Sequence, residues 1–300
     1  MIGLRGSAIR LFQFAGVDVS LHWSWFLVAA YEIGNRANTY SSLTWNVLEY
    51  VALFLIVLLH EYGHALACRQ VGGVANQIVL WPLGGVAYVS PPPRPGATLW
   101  SIAAGPLVNV ALLPILGVLL IVSRVAGWAL EMPNAHAFLR SVNVINLGLL
   151  IFNLLPIYPL DGGQILRSLL WFVFGRARSL MVTTVLGFVG VAGLIYFALR
   201  VQSVWFGILA LFILMNCWRG LQHAQSLLRI ANSPRNTGFV CPSCKANPQI
   251  GDFWVCSQCK NKFDTFQTQA VCPACATQFA LTSCPDCGQK HPMNQWVATI

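Results

Sequence analysis

Apolar residues run through this chain in blocks of membrane length. Six blocks, approximately 20–34, 45–68, 98–123, 138–158, 180–199 and 203–218, predict six transmembrane helices. Between the second and third, Gln77–Ser90 carries two β-rich runs about a Gly84-Gly85 pair, and Pro91-Pro92-Pro93 stops any continuation. That pattern fits a β-hairpin and equally a surface loop. At membrane depth a hairpin is allowed only where protein or a watery cavity satisfies its backbone. Residues 231–240 are a polar linker, and cysteines replace the long apolar blocks beyond it. The expected fold is an α-helical polytopic membrane domain over 1–230, with about six transmembrane helices and a membrane-embedded β-hairpin. A small zinc-ribbon module follows over 241–300.

Composition agrees: 56% of residues are hydrophobic and only 9% charged, against about 25% charged in soluble proteins. The net charge of +9 reads as topology rather than as a nucleic-acid footprint. With the amino terminus inside, ten Arg lie on the cytoplasmic side (5, 10, 69, 94, 167, 176, 178, 219, 229, 235) and four outside (36, 124, 140, 200). The positive-inside rule then puts both termini in the cytoplasm of a multi-pass integral membrane protein. A bacterial inner membrane is the expected host.

The second block contains His60-Glu61-Tyr62-Gly63-His64. A helix brings His60 and His64 onto one face, where two imidazoles can share a metal ion, with Glu61 beside them as a proton acceptor. Ionisable groups at this depth need such a reason, since they are costly in lipid. The third block opens with Ala103-Ala104-Gly105-Pro106-Leu107-Val108-Asn109. There Gly105 reads as a close-packing residue and Asn109 as a helix–helix hydrogen bond. The fourth block ends in Asn153-Leu-Leu-Pro156-Ile-Tyr-Pro159-Leu-Asp161-Gly162-Gly163. Two prolines break the helix there. Asp161 is the candidate third ligand, with a helix N-cap as the competing role. Asn153 is a candidate hydrogen-bond donor to a developing oxyanion, or an interhelical bond. Three protein ligands leave a catalytic zinc one open position, so the pattern points to hydrolytic chemistry with Glu61 as base.

The residues HEYGH, PLGG, AAGPLVN and NLLPIYPLDG together resemble the site-2 protease family of intramembrane zinc metalloproteases, over about residues 15–220. The resemblance implies a six-helix core, zinc held by His60, His64 and Asp161, and Glu61 as catalytic base. It also implies cleavage of transmembrane segments of membrane protein substrates, in regulated intramembrane proteolysis. No insertion is long enough for a PDZ domain, as in the compact branch of the family, but a cysteine-rich tail stands where relatives often carry a CBS tail.

Eight of the ten cysteines form four CxxC pairs, Cys241/Cys244, Cys256/Cys259, Cys272/Cys275 and Cys284/Cys287. In a reducing cytoplasm they read as two structural zinc ribbons rather than disulfides, with rubredoxin-like iron a lesser reading. The simplest arrangement joins neighbours, 241/244 with 256/259 and 272/275 with 284/287; a nested arrangement is the alternative. The expected inventory is one catalytic and two structural Zn2+. The tail carries no dense basic, aromatic-interleaved patch, so a protein partner is expected of it rather than nucleic acid. The competing function is a non-catalytic membrane scaffold or receptor acting through its ribbons, which would have no use for Glu61.

Overall fold

The structure, a computed structural model, describes residues 8–35, 39–81 and 84–296. Arg5 and Arg36 of the charge count, and Pro82-Leu83 of the hairpin sequence, lie outside them. The chain divides into two compact units: one runs to Val173 and resumes over Val182–Gly220, and the other joins Phe174–Met181 to the chain from Leu221 onward.

The first unit begins with strands β1 (Ala8–Phe14) and β2 (Val17–His22), then the short helix α1 (Ser24–Asn35). Long helix α2 (Leu43–Gln70) leads into β3 (Val74–Trp81) and β4 (Gly84–Ser90). Helices α3 (Pro95–Val125), α4 (Trp128–Glu131), α5 (Pro133–Leu154), α6 (Asp161–Val201) and α7 (Val204–Asn232) follow. Five of these helices are long and apolar enough to cross a membrane: α2, α3, α5, α6 and α7. The sixth expected span is corrected. Its first residues belong to β2, and α1 has only 12 residues, about 18 Å against a hydrocarbon core of about 30 Å. Apolar side chains such as Ile115, Val118 and Ile121 on α3 and Leu199 on α6 stay exposed, as lipid-facing surfaces require.

The expected hairpin is present, and it belongs to a larger sheet of order β1-β2-β3-β4. β2 and β3 pair in parallel from Asp18↔Gln77 to Leu21↔Leu80, whereas the outer pairs are antiparallel. β3 is therefore an interior strand and β4 an outer one. In β2, Val17, Val19 and Leu21 alternate with Asp18, Ser20 and His22, and the apolar set enters a core with Val57, Leu58, Tyr62, Ala65 and Cys68 of α2. That period of two marks a half-buried strand.

α2 has defined ends. The Ser42 hydroxyl accepts a hydrogen bond from Thr44 N at 3.2 Å, a cap worth about 1 kcal/mol. At the other end Gly72 has φ +84°, Gly73 N donates to Cys68 O and Gly72 N to Arg69 O. This is the Schellman closure, and Gly72 takes a left-handed conformation that side chains resist. The Arg69 guanidinium reaches back to the carbonyls of Ala15 and Gly16, fastening the β1–β2 turn to the end of α2.

Candidate metal centre and zinc knuckles

Helical periodicity delivers the first two ligands. His60 and His64 lie one turn apart on α2, both buried, with their Nε2 atoms 3.1 Å apart. The third comes from a break in the helical pattern. After α5 ends at Leu154, the chain turns through Pro156 and Pro159, and α6 starts at Asp161. Glycine is required there because a Cβ on Gly162 would stand 2.3 Å from Leu154 O, and one on Gly163 2.5 Å from Tyr158 N. Leu160, not Asp161, is the N-cap of α6, which releases the carboxylate for other work. Its Oδ2 lies 3.0 Å from Nε2 of His60 and 3.3 Å from Nε2 of His64.

These separations suit a metal. Tetrahedral ligands at about 2.0–2.1 Å from zinc stand roughly 3.3 Å from one another. Proton bookkeeping agrees for His64. Its Nδ1 lies 2.9 Å from the Ser101 carbonyl, which can only accept, so in the neutral ring Nδ1 carries the hydrogen and Nε2 presents a lone pair. That lone pair faces an anionic carboxylate and a second imidazole, an arrangement that a shared cation reconciles.

Glu61 points to the sheet. Its Oε2 accepts the Ala87 N–H of β4 at 2.8 Å, and Gly85 leaves the room its side chain needs. Gly105 of α3 packs against both imidazoles, so it does more than ease helix packing. Asn109 does bond between helices, but to His60 itself and to Asn146 of α5. Asn146 and the Ser101 carbonyl are the site groups that sequence reasoning misses. Asn153 is half-buried in the last turn of α5, and no hydrogen bond ties it to the trio among the described residues.

In the second unit, four knuckles repeat one turn. The first cysteine of each accepts from the N–H four residues on: Lys245 to Cys241, Lys260 to Cys256, Ala276 to Cys272, Gly288 to Cys284. Those same four residues have φ between +56° and +73°. The knuckles cluster as Cys241/Cys244/Cys284/Cys287 and Cys256/Cys259/Cys272/Cys275. The neighbour pairing is thus corrected to the nested one. Sulfur pairs 3.5–3.8 Å apart exclude disulfides and match the roughly 3.8 Å expected for four thiolates about 2.3 Å from zinc. The Thr277 hydroxyl and N–H hold the Cys275 thiol down at about 6, favouring the thiolate a metal needs. Phe239, Trp254, Phe266 and Trp296 pack about the outer cluster, and Phe263 and Phe279 about the inner one.

Membrane-length helices, a trio of side chains that could hold a metal ion and an adjacent carboxylate mark an integral membrane protein with a candidate metal centre. The model of Peptidase family M50 matches residues 49–136 and 115–197. A zinc metalloprotease of Methanocaldococcus jannaschii is 36% identical over 181 residues, 60% of this chain and 50% of that protein. Stage IV sporulation protein FB of Bacillus subtilis is 33% identical, over 49% of each chain. The solved site-2 protease from Methanocaldococcus jannaschii aligns with TM-score 0.53 and 29% identity, covering 71% of this chain and 95% of that one. This chain belongs to Peptidase family M50, the site-2 protease family, through its membrane unit. It spans about half the length of the curated relatives it matches.

Proposed function

We propose that the protein is an intramembrane zinc metalloendopeptidase that cleaves transmembrane segments of membrane proteins, in regulated intramembrane proteolysis. One observation carries the reading: His60, His64 and Asp161 converge from two distant segments while Glu61, next to His60, is fastened to an outer strand. A buried carboxylate such as that of Asp161 is costly unless paired, and a shared cation with two imidazoles offsets that cost.

His60, His64 and Asp161 would hold the zinc, which would supply Lewis acidity toward a peptide carbonyl and a lowered pKa for water, toward about 7. Glu61 accepts the proton of the attacking water and passes it to the departing amide nitrogen. The Ala87 N–H holds that carboxylate in place between the two transfers. Among the described residues β4 has a strand partner on one side only, so an unwound substrate can pair along its free edge. Asn153 serves as the oxyanion donor once substrate is bound. The Arg bias orients the carboxyl end of α2 toward the cytoplasm, and the four later spans α3, α5, α6 and α7 return the chain to that side, in a bacterial inner membrane. The tail docks a protein partner.

Glu61→Gln removes the base and keeps the ligands. A membrane-spanning reporter should be cut by the wild type and left intact by the variant, with zinc content equal in the two. Cleavage by the variant at the wild-type rate would refute the assignment and favour the scaffold reading.

A further inference from the structure

Two buried amides extend from the metal site into the helix bundle, and nothing in the hydrolytic reading uses them. Asn109 on α3 and Asn146 on α5 are fully buried. Oδ1 of Asn109 lies 2.6 Å from Nδ1 of His60, and Nδ2 of Asn109 lies 2.8 Å from Oδ1 of Asn146. Nδ2 of Asn146 lies 3.0 Å from the backbone carbonyl of Asn109. A buried amide left unpaired costs about 1–3 kcal/mol, so this chain has a strong reason to be complete.

The chain also has one direction. Its far end is a backbone carbonyl, which only accepts hydrogen bonds. Asn146 must therefore turn its NH2 group toward that carbonyl and its oxygen toward Asn109. Asn109 must answer with its own NH2 group, which leaves its oxygen facing His60. The imidazole nitrogen opposite that oxygen must be the donor. Inverting either amide sets oxygen against oxygen, or NH2 against NH2, somewhere along the line.

We infer that Asn109 and Asn146 are positioning residues forming a directional relay that fixes His60 in its Nδ1–H tautomer, so that Nε2 is held as a bare lone pair for the metal. The relay does for His60 what the Ser101 carbonyl does for His64, with two side chains in place of one carbonyl. Such outer partners typically contribute 10–100-fold in metal affinity. The inference rests on reading His60, His64 and Asp161 as the zinc site.

The test uses the full chain in detergent, titrated with zinc against a competing chelator. His60→Ala keeps the ribbon sites, so its difference from wild type isolates the membrane site. No extra zinc in the wild type would defeat the metal reading itself. Given that zinc, Asn109→Leu should bind it 10–100-fold more weakly. Asn109→Asp keeps an acceptor for the same Nδ1–H but sets its second carboxylate oxygen against Oδ1 of Asn146, so it should recover part of the lost affinity and lie between Asn109→Leu and wild type. Asn146→Leu, which frees the Asn109 amide to invert, should fall between. Unchanged affinity in Asn109→Leu, or equal losses in the Leu and Asp variants, overturns the relay. Nitrogen NMR of labelled histidine in the zinc-free wild type needs no variant to fold: His60 protonated at Nδ1 supports the relay, and at Nε2 overturns it.

Discussion

A methyl group at position 105 would stand 2.3 Å from Nε2 of His64 and 2.8 Å from Nε2 of His60, in the space where those atoms meet. Gly105→Ala therefore tests the site with a single carbon. We expect its zinc content to fall by one ion per chain while the ribbon zinc stays, and cleavage to drop by about 10²-fold, the scale of a misplaced reacting group. Metal analysis with a cleavage assay decides it; full zinc content in the variant would contradict the geometry. At this scale the sequence was readable where chemistry is rare. Two histidines and a glutamate in an apolar helix have few other uses, and Asp161 follows prolines that break a helix. Asn109 was visible, but its bond to His60 was not, because a helix–helix amide looks alike whichever partner it meets. The Ser101 carbonyl left no trace, since any residue provides one.

Elements were readable where periodicity was strong and long. α2, α3 and α6 enclose the apolar blocks 45–68, 98–123 and 180–199, and the hairpin formed with Gly84 and Gly85 paired inside β4 rather than between the strands. The first block, 20–34, misled because its first residues finish the strand Val17-Asp-Val-Ser-Leu-His22, whose period of two begins ahead of the block, and the helix after it has only 12 residues. β3 is paired on both sides, so among the described residues only β4 of the hairpin has a free edge beside Glu61. Ala87→Pro removes both the N–H that holds Glu61 and an edge position. Cleavage of a membrane reporter should fall by about 10²-fold with the membrane zinc retained. Wild-type cleavage by that variant would remove β4 from the substrate path.

For the whole molecule, the cysteine tail provides the sharpest test. If the outer knuckles share one ion, the double substitution Cys244→Ser with Cys287→Ser should cost one zinc per chain, and Cys244→Ser with Cys259→Ser should cost two. Neighbour pairing predicts the reverse counts, and metal analysis of the full chain separates them. Sequence spacing could not choose between these arrangements. Doubling a loop costs only about 0.6 kcal/mol of closure entropy, so joining Cys244 to Cys284 across 40 residues is little worse than joining neighbours. Packing of Phe239, Phe266 and Trp296 about the outer knuckles tips a balance that entropy leaves nearly level. The chain by itself determined which segments are apolar enough to span, which residues have ligand chemistry, and that the tail's thiols come in knuckles. Those properties depend on a residue and its neighbours within a turn or two. Tertiary structure alone decided that Asp161 meets the α2 histidines, that two amides line up behind His60, that β4 and not β3 has the open edge, and that the ribbons nest. Each of these needs segments far apart in sequence to meet, and only the packing of the folded chain specifies that.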